Sequence, residues 1–140
     1  MKKILLIMIS ISVLLFADFI KNGDIVTDTT TGLQWQDDAD AASVTKTWIE
    51  AINYCENLTL GGHNDWRLPN INELKSIIDR SKSNLVIVDG FTNVSSDVYW
   101  SSTTNADFSY LAWIVSFDNG NVSYNPKDDS YYVRCVRAGE

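Results

Sequence analysis

The segment from residue 61 to residue 79 holds the side chains whose types most resemble those of a chemical site. It contains His63, the one histidine of the sequence, followed by Trp66, Arg67 and Pro69. A histidine can act as a base or a metal ligand, and an arginine can hold a carboxylate through two parallel hydrogen bonds. Because His63 lies among Gly, Asn and Asp residues without a second histidine, we interpret it as a polar surface residue.

Three carboxylates lie close together at Asp37, Asp38 and Asp40. Carboxylate oxygens are ligands that Ca²⁺ prefers, but this spacing lacks the alternating ligands and the central glycine of a dedicated calcium loop. We therefore predict a solvated acidic loop here. The sequence predicts no metal site and no cofactor.

The N-terminal residues follow the order of a secretory signal peptide. Two lysines precede an apolar run over residues 4–16, and Ala17 precedes the polar chain. The run is shorter than the roughly 20 residues that a membrane-spanning helix needs, so we predict cleavage after Ala17. An uncleaved anchor is the alternative. Residues 1–17 are then a signal peptide, and residues 18–140 form one domain that is periplasmic, secreted or on the cell surface of a bacterium, with no stable membrane anchor.

The formal charge of the chain is -7. Cleavage removes Lys2 and Lys3 and no acidic residue, which takes the charge to -9. So acidic a chain repels nucleic acid and anionic membranes. We therefore expect no nucleic-acid partner.

The chain has two cysteines, Cys55 and Cys135. An even pair in an exported protein favours a disulfide, and closing a loop of this length contributes about 4 to 5 kcal/mol in the chain-entropy model. The alternative is a free thiol nucleophile at Cys55 served by His63. Because no convincing set of nucleophile, base and orienting group is present, we predict that the protein is not an enzyme.

A first helix is predicted after Thr47. Thr47 and Glu50 form a capping box, and apolar residues, Cys55 among them, recur at helical spacing from Trp48 to Leu58. The pair Gly61-Gly62 then predicts the end of the helix, since glycine accepts the left-handed cap conformation.

A second capping box, Asn70 with Glu73, predicts a second helix whose apolar stripe is formed by Leu74, Ile77 and Ile78. The residues before it link the two helices. There Trp66 and Leu68 alternate around Arg67, which predicts a buried indole and a guanidinium paired with a carboxylate or a carbonyl.

The remaining apolar segments predict strands. They cover residues 25–26 and 33–35 as a hairpin, 98–102, 110–117, 122–124 and 131–137. Asn119-Gly120 predicts a tight turn between the strands on either side of it. The patterns around all five tryptophans suit core positions. The irregular segment 81–97 is long enough to be a functional loop.

Two polar segments are candidates for a ligand site, because antiparallel pairing can bring them to one end of the sheet. They contribute Asn105, Asp107 and Tyr110 before one strand, and Asn125, Asp128 and Asp129 after the hairpin. Carboxylates, amides and an aromatic ring are groups that hold sugar hydroxyls or a calcium ion. The alternative is a pair of solvated acidic loops.

Several blocks in this order carry a resemblance to a known family. They are Thr31–Trp35, Gly61–Pro69, Tyr99–Ser102, Trp113–Phe117 and Val133–Arg137. The sequence resembles the Lcl C-terminal domain family, named after the end domain of a collagen-like adhesin, from about residue 24 to residue 137.

The resemblance implies an α+β, C-type-lectin-like fold, with two helices packed on twisted antiparallel sheets. It also implies a disulfide between the first helix and the last strand. Its signature residues are Trp66, Arg67, Leu68, Pro69 and Trp100, which the resemblance assigns to the structure and not to catalysis.

The function implied is a noncatalytic binding or adhesion module of the bacterial envelope, recognising a glycan, a peptide or an envelope protein. Sulfated glycosaminoglycans, associated with the family's adhesin, are not carried over, because this chain is acidic and has no basic cluster. One alternative is a structural subunit of an envelope complex. Another is an enzyme related to the formylglycine-generating enzymes, whose chemistry needs reactive cysteines.

Overall fold

The computed structural model describes residues 9–11 and 18–139. Within them the protein is α+β, with two α-helices packed against two sheets and one disulfide. This confirms the predicted class. The predicted signal peptide lies, apart from residues 9–11, outside the described residues.

The strands in chain order are β1 (Phe19–Asn22), β2 (Ile25–Asp28), β3 (Leu33–Gln36), β4 (Thr45–Lys46), β5 (Val98–Thr104), β6 (Leu111–Ser116), β7 (Val122–Pro126), β8 (Tyr131–Tyr132) and β9 (Val136–Ala138). A four-stranded sheet has the order β1-β2-β3-β9, and a five-stranded sheet has the order β4-β8-β5-β6-β7. All pairs are antiparallel except β5 with β8.

Both predicted hairpins are present. β2 pairs with β3 so that Val26 faces Trp35. β6 pairs with β7 so that Trp113 faces Tyr124, and Gly120 takes a φ of 77° in the turn between them. The left-handed conformation at this position favours glycine.

The predicted last strand is wrong as one element. β8 pairs with β4 and β5, whereas β9 pairs with β3 in the other sheet. The intervening residues Val133, Arg134 and Cys135 are buried. The alternating pattern of this segment does not show that its backbone changes partners halfway.

The first helix, α1 (Trp48–Asn57), begins at the predicted capping box, where the Thr47 amide donates to the Glu50 carboxylate over 3.1 Å. It ends at Asn57, so the prediction that the glycines end it is wrong. Gly61 and Gly62, with φ of 61° and 77°, form instead the tight turn between Leu60 and His63, whose backbones exchange two hydrogen bonds.

The second helix, α2 (Ile71–Lys75), is shorter than the predicted stripe. The Asn70 side chain accepts from the Glu73 amide over 2.8 Å, and the Glu73 carboxylate accepts from the Asn70 amide over 2.9 Å. Ile77 is buried beyond the end of the helix, and Ile78 forms a bridge with Ile87. The apolar residues of the predicted stripe therefore still pack against the core, although the helix ends before Ile77 and Ile78.

Two apolar clusters fill the interior. One joins the four-stranded sheet and α2 to Tyr99 and Val115 of the five-stranded sheet and to Phe117, which follows β6. The other lies under α1 and contains Trp66 and Trp100. Cys55 of α1 and Cys135 before β9 form the predicted disulfide, which confirms the pairing.

Three of the five tryptophans, Trp35, Trp66 and Trp100, are buried as predicted. Trp48 and Trp113 are only partly buried, so the core prediction is wrong for these two. In the described part of the chain, neither helix has the length and apolar character that crossing a bilayer requires.

Candidate functional site

The block from Trp66 to Pro69 lies between the two helices and contacts β9. Trp66 and Leu68 are buried, and the Trp66 indole N–H points to the carbonyls of Leu60 and His63 at 3.3 and 3.2 Å. The Arg67 backbone exchanges two hydrogen bonds with Val136. These two hydrogen bonds therefore hold the segment between the helices against β9.

The Arg67 side chain forms the predicted pair with a carboxylate. Its guanidinium donates two parallel hydrogen bonds to Glu73, at 2.6 and 2.7 Å. These bonds hold the pKa of Glu73 below its ordinary value, outweighing the opposing effect of partial burial. The same carboxylate caps α2, so Arg67 orients the start of that helix.

The residues first considered for nucleophilic chemistry have structural roles. Cys55 is in the disulfide, so the alternative of a free thiol nucleophile is wrong. The backbone of His63 is used in the glycine turn and in the bond to Trp66.

Asp37 is fully buried, so the prediction of a solvated loop is wrong for this residue. Its carboxylate accepts from the Lys21 ammonium at 2.5 Å, from the Arg134 guanidinium at 3.0 Å, and from the amides of Thr92 and Asn93 at 3.0 and 3.1 Å. No local sequence pattern predicts this network, because its members come from distant parts of the chain.

Arg134 lies at the centre of the network with its side chain fully buried. It donates to the carbonyls of Gln36 and Asn93, each at 2.5 Å. Its guanidinium carbon lies 4.8 Å from the ring centroid of Phe91 and 5.6 Å from that of Tyr99. The Arg134 charge is thus enclosed by carbonyls, one carboxylate and two aromatic rings.

The charge balance of this network favours an ionised Asp37. Burial raises the pKa of Asp37, but the Lys21 and Thr92 hydrogen bonds and the Arg134 charge outweigh it and lower the pKa. Both carboxylate oxygens are occupied by protein donors. The arrangement joins four segments of the chain, at Lys21, Asp37, residues 92–93 and Arg134.

The other two acidic residues have local partners. Asp38 caps a short 3₁₀ helix, Ala39–Ala42, and Asp40 accepts from the Tyr54 hydroxyl over 3.1 Å. The described residues include no group of three or more His, Cys, Asp or Glu side chains that could hold a metal ion.

The two segments predicted as a ligand site lie side by side. We call them the loop end, meaning residues 105–110 and 125–129. The Lys127 amide donates to the Tyr110 carbonyl over 3.0 Å, as expected from the pairing of β6 with β7. The Lys127 ammonium donates to the Thr104 hydroxyl over 3.0 Å and lies 3.9 Å from the Trp48 ring centroid. The loop end therefore also touches the start of α1.

Asn105 organises its own loop. Its side-chain oxygen accepts from the amides of Asp107 and Phe108, at 2.9 and 3.2 Å, and the residue is buried. The Leu111 amide bonds the Phe108 carbonyl over 3.0 Å. These bonds fix the loop backbone from within.

Two aromatic side chains project from this fixed loop. Phe108 is 50% exposed and Tyr110 is 63% exposed, and their ring centroids lie 6.0 Å apart. Tyr110 is one of the predicted ligand-binding residues, whereas Phe108 is not. An aromatic residue within an otherwise polar loop was the available signal.

The acidic members of the loop end differ in their surroundings. Asp107 and Asp128 are exposed. Asp129 accepts from the Tyr131 hydroxyl over 3.1 Å, and partial burial together with this carboxylate raises the pKa of Tyr131. Asn125 lies opposite Ala112 in the β6–β7 register.

The long segment 81–97 packs against the protein interior. Val86 and Ile87 are core residues, and Thr92 and Asn93 bind Asp37 as described above. Its length is therefore accounted for by burial and by the buried network.

Comparison with known families identifies one family model that covers most of the chain. The family model described as the Lcl C-terminal domain matches residues 24–137, which include both helices, the disulfide and the loop end. A comparison with curated proteins finds no match.

Proposed function

This chain belongs to the Lcl C-terminal domain family, and on that premise we propose that it is a noncatalytic binding module of adhesion type. Its ligand is a glycan, a peptide or a protein of the bacterial envelope. The observation that carries the proposal is the pair of exposed aromatic rings, Phe108 and Tyr110, on a loop whose backbone is fixed.

Exposed aromatic rings on a rigid loop suit recognition. Such rings bury a large apolar area on binding, and they recur among the residues that carry most of the energy of an interface. The Asn105 side chain already holds the loop conformation, so little ordering entropy is lost when a ligand binds.

The surrounding charges favour an uncharged or cationic ligand. Asp107 and Asp128 are exposed on the two adjacent segments, whereas the Lys127 ammonium is turned onto Trp48 and Thr104. An anionic ligand would therefore meet repulsion at this end of the sheet.

One feature, the disulfide, supports an exported and noncatalytic role in two ways. Both cysteines of the chain form the disulfide, a bond that persists in oxidising compartments. The same bond removes the free thiols that a chemistry of the formylglycine-generating type requires. We therefore propose that the protein acts in the periplasm, outside the cell or on the cell surface.

The test is a glycan array and an envelope-extract pull-down with the folded protein, followed by the double variant Phe108→Ala/Tyr110→Ala. We expect the variant to lose at least about tenfold in affinity for the ligand found, as removal of an interface anchor does, with the melting temperature unchanged. Ile20→Ala is the matched control, since Ile20 is also exposed but lies on β1 in the other sheet.

The charge contribution is tested with Asp107→Asn/Asp128→Asn, which keeps the side-chain shapes. Weaker binding with unchanged melting supports the loop end as the site. Unchanged binding by both double variants would contradict it.

A further inference from the structure

We propose that a groove along α1 is a second binding site, and that it takes an uncharged, hydroxyl-rich small molecule such as a single sugar ring. This site is separate from the loop end and goes beyond the function proposed above.

The groove is open to solvent and has a volume of about 460 Å³. It is lined by β4, by one side of α1 and by residues 58–59 after the helix. Glu50, Asn53 and Asn57 follow each other at spacings of three and four residues, which places them in a row on that side of the helix. The volume falls within the range of sites for small ligands.

Tyr54 gives the groove a rigid apolar wall. Its hydroxyl accepts from the Gln36 amide over 3.0 Å and donates to the Asp40 carboxylate over 3.1 Å. Gln36 is itself fixed, because its side-chain oxygen accepts from the Cys135 amide over 3.0 Å. The ring is therefore held in place before any ligand arrives, which lowers the entropic cost of binding.

The charges of the groove balance. Lys46 contributes a cation, whose nitrogen lies 5.6 Å from the Tyr54 ring centroid, and Glu50 contributes an anion. A ligand with a full charge meets one attraction and one repulsion. A hydroxyl group, which both donates and accepts, can use the ammonium, the carboxylate and the amides together.

The amides complete the polar side. The Asn57 side-chain amide donates to the backbone carbonyl of Asn53 over 2.8 Å. This bond orients the Asn57 side chain along the helix. Asn53 is exposed. An amide offers donors and an acceptor, so two amides match neighbouring hydroxyls of a ring.

The experiment is a titration of ¹⁵N-labelled folded protein with glucose, galactose and N-acetylglucosamine, up to about 20 mM, which detects a dissociation constant near 1 mM. We expect shifts for the amides of residues 46–59 with at least one of these sugars. Glucuronate and glucosamine, which carry a charge, should bind at least about threefold more weakly. Asn53→Ala/Asn57→Ala should lower the affinity by about fivefold or more.

The controls separate this inference from the proposed function. The double variant Phe108→Ala/Tyr110→Ala should leave the sugar-induced amide shifts of residues 46–59 intact. The inference is overturned if no uncharged sugar shifts residues 46–59, or if binding survives the double Asn variant. Tighter binding of a charged sugar overturns the ligand class, and shifts confined to residues 105–110 and 125–129 assign the sugar to the loop end instead.

Discussion

The Arg134 guanidinium donates to the Asp37 carboxylate over 3.0 Å, and neither side chain is exposed to solvent. The two residues are 97 positions apart in the chain. Their pairing connects the segment after β3 to residues 133–135, where the chain passes from β8 in one sheet to β9 in the other. A buried charge pair of this kind tolerates the loss of one partner poorly, because the remaining charge is left without compensation.

Asp37→Asn should therefore lower the free energy of unfolding by about 3 to 5 kcal/mol, since Arg134 and Lys21 keep their charges but lose the carboxylate. Urea unfolding followed by tryptophan fluorescence measures the change. Asp118→Asn is the matched control, because Asp118 is exposed and such surface changes stay within about 0.5 kcal/mol. A loss below about 1 kcal/mol in Asp37→Asn would contradict the role given to this pair.

The same network predicts a pH dependence. The pKa of Asp37 in the folded protein lies below its ordinary value of 3.8, so the unfolded chain binds a proton at higher pH than the folded protein does. The stability from Asp37 is then fully present above pH 3.8 and is lost as the pH falls through the folded pKa. Unfolding free energies measured from pH 6 downwards should decrease below about pH 4, and Asp37→Asn should show a shallower decrease. Equal slopes for the two proteins would refute the assignment.

Trp66→Ala should lower the free energy of unfolding by about 3 to 5 kcal/mol, because it empties a core position. Arg67→Ala should cost less, about 1 to 2 kcal/mol, since the side chain of Arg67 is 45% exposed and solvent screens its pair with Glu73. Denaturant titration of both variants measures which one loses more unfolding free energy. If either folded variant binds the ligand more weakly while melting like the parent, this block contributes to binding after all.

Replacing both Cys55 and Cys135 by Ala should lower the unfolding free energy by about 4 kcal/mol, because the bridge closes a loop of 80 residues. Peptide mapping by mass spectrometry without reductant should recover the linked pair from the native protein. Detection of two free thiols in the folded protein would contradict the disulfide.

Features set by neighbouring residues were predictable from the sequence. The Thr47 capping box fixed the start of α1, and Asn119-Gly120 fixed the β6–β7 turn. The cysteine pair followed from its even number in a chain predicted to be exported. The capping box and the turn each depend on a short pattern whose physics is local.

Features set by distant partners were not predictable. Asp37 belongs to an acidic run that looks solvated, and its burial depends on Arg134 and Lys21 from other segments. The change of sheet between β8 and β9 likewise depends on which edges are free to pair. No local pattern encodes these partners.

The candidate site shows the same division. The adjacency of its two segments follows from the hairpin that joins β6 to β7, and a hairpin is a local feature. The role of Asn105 within its own loop, and the exposure of Phe108, depend on how that loop closes. Side-chain roles within a loop therefore required the structure.

The pairing of β3 with β9 has a consequence for how the chain acquires its fold. The partner of β3 lies at residues 136–138, roughly a hundred positions later, so the first sheet lacks its fourth strand until those residues have been made. Bringing such distant segments together costs loop-closure entropy before any contact offsets it, and folds dominated by distant pairings form slowly. The four-stranded sheet is therefore completed only when residues 131–138, whose two strands pair with both sheets, are in place.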